Sequence, residues 1–491
     1  MVPILIAVLY FGFFSVLFGV LSNRKSKKGQ LKDEGDATFF TASGQIGWVA
    51  VMCSFVLAPL GGGHTTSLYE NQANIGVSAV WWGIMGGGVF VPIFLYWFGP
   101  MFRKLKVQTF PQALGKVFGP KIKIFNSSVA PAAWLGIAMS ELLGTATAVY
   151  ALCAGKVSYA PGCILIAGGL MIIYILFGGM LQASYMNVVN AVMLIVGSFA
   201  AVIYVGSAIP GGYEGVAETY AAAGQAFKTD MFSFSPAVVF GTIIPCVVLH
   251  VLSVASEHAM YQPMLAAKSD DDIRRGAFIG GLVNTAACIP WVILGVTGTS
   301  IAVIAAKAPI LSVPELALQI MPPVLIGVLM VALLCALLST GSGMILAISH
   351  VVTDDIILPL TGRKVGDSKY KLISRIVIIV VTLAATLPAL KVTLLISLFF
   401  WCFSLSMPIF VNYLIGMCWK INRKAAWINL IVSTIVNFWW TFACPSWAGI
   451  FNFSFWPVSV TTIGLGVILN LIMPGEKGLL RQIKEQEAAR S

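Results

Sequence analysis

Long apolar stretches separated by short polar connections make up almost the whole chain. Runs able to supply the roughly 20 helical residues that cross a bilayer fall near 2–22, 45–69, 77–99, 125–153, 161–180, 188–209, 236–260, 276–304, 323–352, 373–390, 393–417, 425–444 and 453–473. Thirteen transmembrane helices are therefore expected, in an all-α polytopic membrane protein. No connection is long enough to fold as a domain, and the Gly/Ala-rich stretch 210–236, with Glu214, Glu218 and Asp230, suits an external lid.

Composition agrees. Of 491 residues, 58% are hydrophobic and 10% charged, against about 25% charged in soluble domains. A soluble enzyme, a disordered chain and a nucleic-acid binder are all excluded; the expected partners are the lipid bilayer and a small organic solute. The formal net charge of +11 is a topology signal: of 30 Lys and Arg, all but Lys156, Lys228, Lys307 and Lys391 lie in alternate connections. The positive-inside rule then puts the N-terminus outside and the tail in the cytoplasm, in a plasma or inner cell membrane. The first run has neither a basic leader nor a clear cleavage site and is expected to be a retained span. The nine Cys form no CxxC pair, so neither zinc nor redox chemistry is indicated. Cys153 and Cys163 bracket one external connection, as a disulfide or as two small buried residues.

Where membrane helices break, backbone groups become free to face a cavity. The second run contains Ala58-Pro59-Leu60-Gly61-Gly62-Gly63-His64, in which a missing N–H and three side-chain-free residues predict two half-helices. A milder interruption is expected at Pro245 in the seventh run, five residues before His250. Runs two to six and seven to eleven form two blocks of five, inverted because five is odd. The expected organisation is an N-terminal helix and loop over 1–44, a first repeat over 45–209, an external loop over 210–235, a second repeat over 236–417, and two further helices with a short tail over 418–491. Paired breaks in inverted repeats point to a transporter binding site.

In the ninth run, the Ala336 carbonyl and the hydroxyls of Ser339 and Thr340 share one helix face. Neutral oxygens suit a hard monovalent cation, and the carbonyls of Leu57 and Leu60, one turn apart beside the first break, are placed to complete the shell. Na⁺ is thus the expected coupling ion.

These features resemble the sodium:solute symporter family. The resemblance rests on the Ala-x-x-Ser-Thr segment at Ala336 to Thr340 followed by Asp354-Asp355, on Tyr-Gln-Pro-Met-Leu-Ala-Ala-Lys-Ser over 261–269, on Phe-Gly-Gly-Met over 177–180, and on Val-Gln-Thr-Phe-Pro over 107–111. It implies a LeuT-like 5+5 inverted repeat with an extra N-terminal helix, and a sodium site at Leu57, Leu60, Ala336, Ser339 and Thr340. Many members carry Thr-Asp-x-x-Gln where this chain has Met186-Asn187-Val188-Val189-Asn190, and position 336 lacks a hydroxyl, so one sodium per cycle is expected. Gly61 to His64, Glu70, Gly76 and Ser140-Glu141 are most similar to choline carriers. The tryptophans of that branch are replaced by Pro59, Gly144 and Glu257, so the aromatic cage that holds quaternary ammonium groups is missing.

The expected solute contacts are Gly61, Gly62, His64, Glu141, His250 and Ser253, the last two through their correspondence to substrate-contacting positions of sugar-carrying relatives. Glu141 has a competing reading as a structural hydrogen bonder between helices. Glu70 and Glu257 are gate candidates, with plain interfacial positions as their alternative. Imidazoles that suit a carboxylate and carboxylates that suit an amine together favour an amino acid or related zwitterion. Trp81, Trp82, Trp97, Trp439 and Trp440 are expected mostly in an interfacial belt. The function expected is sodium-coupled symport by alternating access; a proton-coupled carrier, a membrane sensor or a channel built on the same core are the alternatives.

Overall fold

Each of the thirteen apolar runs is helical over most of its described residues in the computed structural model, which describes residues 1–27, 46–105, 107, 109–176, 179–252, 258–361, 367–391, 395–443, 449, 451 and 453–488. Among the described residues, ten helices are long and apolar enough to cross a membrane; the other three runs hold the shorter apolar helices Trp48–Leu57, Tyr159–Ile175 and Pro236–Leu252. In chain order the main helices are α1 (Val2–Lys27), α2 (Trp48–Leu57), α3 (Gly62–Ile75), α4 (Val91–Lys104), α5 (Pro120–Leu152), α6 (Ile164–Leu176), α7 (Gly179–Ala208), α8 (Ile244–Leu252), α9 (His258–Ala266), α10 (Asp270–Ser300), α11 (Pro323–Val351), α12 (Asp367–Ala389), α13 (Leu395–Cys418), α14 (Arg423–Phe442) and α15 (Phe455–Ile472). Local signals set several starts: Ser269 caps α10 by accepting from the Asp272 N–H, and three Asp fill the first turn, where the helix dipole favours negative charge.

The helices sort into two groups. In one, α10 packs on α2 and α4, α9 on the same two, and α8 on α4; in the other, α5, α6, α11 and α12 pack on each other. Small residues permit the closest approaches: a methyl group at Gly276 or Gly280 of α10 would meet the backbone or side chains of α2. The remaining helix of each block bridges the groups in the same way. α7 lies on α11 and α2, while α13 lies on α5 and α8. Exchanging the two blocks exchanges these contacts, as an inverted repeat requires.

α1 stands at the edge, with Leu5, Val8, Leu9, Phe13 and Val16 exposed as a lipid-facing surface. It is held by close packing on Gly327 of α11 and by the Tyr10 hydroxyl, which donates to Asn190 Oδ1 at 3.2 Å. The 210–236 connection is ordered, with a helix at Gly212–Ala222 and a short turn at Ala226–Thr229. Lys228 Nζ donates to the Ala73 carbonyl at 2.6 Å, near the negative end of α3, and burial lowers the pKa of its amine. Beside it Gly76 has φ +63°, and a Cβ there would lie 2.1 Å from the Lys228 carbonyl oxygen, so both backbone and space require glycine.

After α11 the helix runs on through a π turn, Val352–Ile357, which carries a dense polar cluster. Asp355, buried, accepts from Thr109 Oγ1 at 2.7 Å, Gln112 Nε2 at 3.2 Å and Lys123 Nζ at 2.8 Å. Asp354 accepts from Tyr370 at 2.8 Å and pairs with His350 at 3.0 Å. Two segments carrying the family resemblance, 107–111 and Asp354-Asp355, thus meet in one anchor.

Two expectations change, and the alternative at Cys153 and Cys163 is resolved. Pro245 does not break its helix: the backbone stays helical from Pro236 to Leu252, with a π turn at Val239–Ile243 immediately before the proline, where the hydrogen-bond register shifts. Trp82 is not at an interface but buried among His250, Phe399 and Phe400. Cys153 and Cys163 are both free thiols.

Candidate functional site

The break between α2 and α3 is where backbone acceptors lose their helical donors. Ala58 N–H still reaches the Ser54 carbonyl at 3.0 Å, but the Gly61 N–H, which an unbroken helix would aim at Leu57, turns to Ala58 at 3.4 Å. Side chains from other helices serve the carbonyls instead. Asn284 Nδ2 of α10 donates to the Val56 carbonyl at 2.9 Å. The Thr340 hydroxyl of α11 lies 3.1 Å from the Leu57 carbonyl and 3.4 Å from that of Ala58.

Three oxygens therefore converge at Thr340. Neutral hydroxyl and carbonyl oxygens gathered in this way are the kind of ligand a hard cation takes. Leu60 and Ala336 are buried nearby, Leu60 in the turn of the break and Ala336 one helical turn before Thr340. Ser339 faces elsewhere: its hydroxyl donates to Asn187 Oδ1 at 2.6 Å, and Asn187 Nδ2 donates to Ser54 Oγ at 3.0 Å. Asn187 ties α7 to both walls of the site.

Beside the break lies a small cavity of about 30 Å³, room for one or two waters. Pro59, Gly61, Glu141, His250, Thr340 and the rings of Phe399 and Phe403 line it. His250 Nδ1 is 2.6 Å from the Cys246 carbonyl, which places a proton on that nitrogen. Its ring packs on Trp82 and Phe403 at centroid distances of 5.9 and 6.1 Å. Gly86 makes room for it, since a Cβ there would lie 2.6 Å from the imidazole. Glu141 is buried, with its carboxylate against Gly61.

Of the expected solute contacts, the structure brings Gly61, Glu141 and His250 together. Gly62 and His64 stand in the first turn of α3 and Glu70 further along it; their side chains lie outside the described residues, as do Ser253 and Glu257 entirely. Asn284, Phe399 and Phe403 were missed by sequence reasoning. A polar amide inside the eighth apolar run was the available signal for Asn284; the two Phe had none, being ordinary residues of an apolar helix.

Residues 39–433 match the model of the sodium:solute symporter family, and the chain belongs to that family. It is a membrane transporter, not an enzyme. It is similar to the rat sodium/myo-inositol cotransporter 2, with 23% identity over 483 residues, covering 88% of this chain and 69% of that one. The rat sodium/glucose cotransporter 2 is 24% identical over 447 residues, covering 80% of this chain and 65% of that one. Among solved structures, a Na⁺-coupled sialic acid symporter in a substrate-bound outward-open state aligns with a TM-score of 0.77 at 18% identity, over 97% of this chain and 99% of that one. Mhp1, a nucleobase-cation-symport-1 family transporter, aligns with a TM-score of 0.59 at 14% identity, over 89% and 95% of the two chains. Both likenesses are of fold.

Proposed function

We propose that this protein moves Na⁺ and a small polar solute together across a cell membrane by alternating access, with its N-terminus outside and its tail in the cytoplasm. The observation that carries the reading is the contact of Thr340 with the Leu57 and Ala58 carbonyls. It joins α11 of one helix group to α2 of the other at the break that also walls the cavity. An ion held there by the Thr340 hydroxyl and the carbonyls of Leu57, Leu60 and Ala336, with Ser339 bracing the wall through Asn187, clamps the two groups in one arrangement. A solute resting on the same break feels that arrangement, so ion and solute must each raise the other's affinity by the same factor.

The small cavity means that the helices part to admit a solute. The names of the relatives support a sugar- or polyol-like solute. The carboxylate of Glu141 in the cavity favours a second reading, an amine-bearing solute such as an amino acid. Both are tested by thermal melts of purified protein with myo-inositol, glucose and amino acids in NaCl or KCl. One class is expected to stabilise the protein in NaCl and not in KCl. Equal stabilisation in both salts would refute sodium coupling, and uptake driven by a pH gradient alone would assign the proton-coupled alternative.

A further inference from the structure

α3 begins without a cap of its own. Its N-cap is Gly61, which supplies no side-chain acceptor, although the first N–H groups of any helix need one and its dipole favours negative charge there. In carriers built on broken helices, that end is where an anionic group of the solute is received. In this protein a carboxylate of the chain itself stands there. A Cβ on Gly61 would lie 2.4 Å from Glu141 Oε1 and 2.8 Å from Oε2, so the carboxylate fills the space that a side chain at the N-cap would take.

The placement is built. The Ser140 and Thr145 hydroxyls that flank Glu141 on α5 bond the carbonyls of their own helix, Ile137 at 2.7 Å and Glu141 at 2.8 Å. That leaves the carboxylate as the acidic group α5 offers to the cavity. On α11 opposite, Gly341 permits the approach, since a methyl there would lie 3.1 Å from Glu141 Cβ. Glu141 is 1% exposed and lines the cavity with His250 and Thr340.

We infer that Glu141 is the charge filter of the carrier. By holding the positive end of α3, it takes the place that a solute carboxylate would occupy, and a second carboxylate beside it is repelled. Solutes whose bound end is a hydroxyl or an amine are accepted, and those whose bound end is a carboxylate are rejected. This rests on the symport reading above and narrows it: a zwitterion is a poorer fit than a neutral polyol or a simple amine.

The test uses matched probes on the purified full-length protein. One set is glucose, glucosamine and glucuronate; the other is alaninol, alanine and lactate. Each is titrated in NaCl and in KCl, with the melting temperature as readout. In the wild type, glucuronate, alanine and lactate are expected to bind at least tenfold more weakly than the best neutral or amine member of their set. Glu141→Gln, which keeps shape and loses charge, is expected to narrow that gap to threefold or less, while Glu141→Asp keeps it. A melt without probe checks that each variant is folded. Should Glu141→Gln fail that check, Gly61→Ala, which pushes the carboxylate aside, is expected to narrow the gap in the same direction. Sodium-dependent binding with no preference by charge, or a preference unchanged in a folded variant, overturns the charge filter and leaves symport standing. Absence of any sodium-dependent shift with either set overturns both.

Discussion

At the end of α11, Asp355 has both carboxylate oxygens occupied by Thr109, Gln112 and Lys123. About four turns earlier along the same continuous helix, Thr340 stretches one hydroxyl toward two carbonyls. The first cluster is rich in donors: a threonine, an amide, an ammonium, an imidazole and a phenol converge on two acids. The second is rich in acceptors, because a broken helix supplies carbonyls faster than neighbouring side chains supply protons. A cluster that satisfies itself fixes helices in place. One short of donors leaves acceptors that a cation would satisfy, as the proposed symport requires.

This contrast can be broken by substitution. Asp355→Ala should have the largest effect, because it strands Lys123 and two polar groups around a vanished buried acid, at a cost of about 3 kcal/mol or more. Folded yield and melting temperature in detergent are expected to fall with or without sodium, and an unchanged melt would show the anchor to be dispensable. Thr340→Ala should leave the fold intact and raise the Na⁺ concentration for half-maximal uptake about tenfold, or about 1.4 kcal/mol. Ser339→Ala should raise it about threefold, since that hydroxyl is engaged with Asn187. Identical sodium curves for wild type and both variants would remove the ion from this place. Arg275→Ala, which opens the exposed pair with Asp271, should change stability by no more than about 0.5 kcal/mol and leave sodium dependence untouched; a shift there would mean surface charge contributes to the sodium response.

Much of this was legible in the residues. The apolar runs mark the membrane-crossing helices because the bilayer fixes their length, and the break after Leu57 was legible because Pro59 and three glycines remove the means of continuing. Pro245 misled because a helix can continue past a proline through a π turn, and periodicity does not show where such a turn lies. Ser339 and Thr340 looked equivalent, yet successive helical residues point about 100° apart, so one meets α7 and the other α2. Asn284, Phe399 and Phe403 reach the site only because distant helices cross there, and a linear pattern does not encode crossings.

The three glycines at 86–88 sit on a π turn, Ile84–Phe90. A methyl group at the first would strike the His250 imidazole, at the second the Asn284 amide and Pro59, and at the third the Thr285 hydroxyl. Each is thus wedded to a different counterpart in the second block, and none can change alone. A larger side chain in this wall therefore calls for a smaller one opposite it, so substitutions at 86–88 are expected to be tolerated only as halves of a compensating pair.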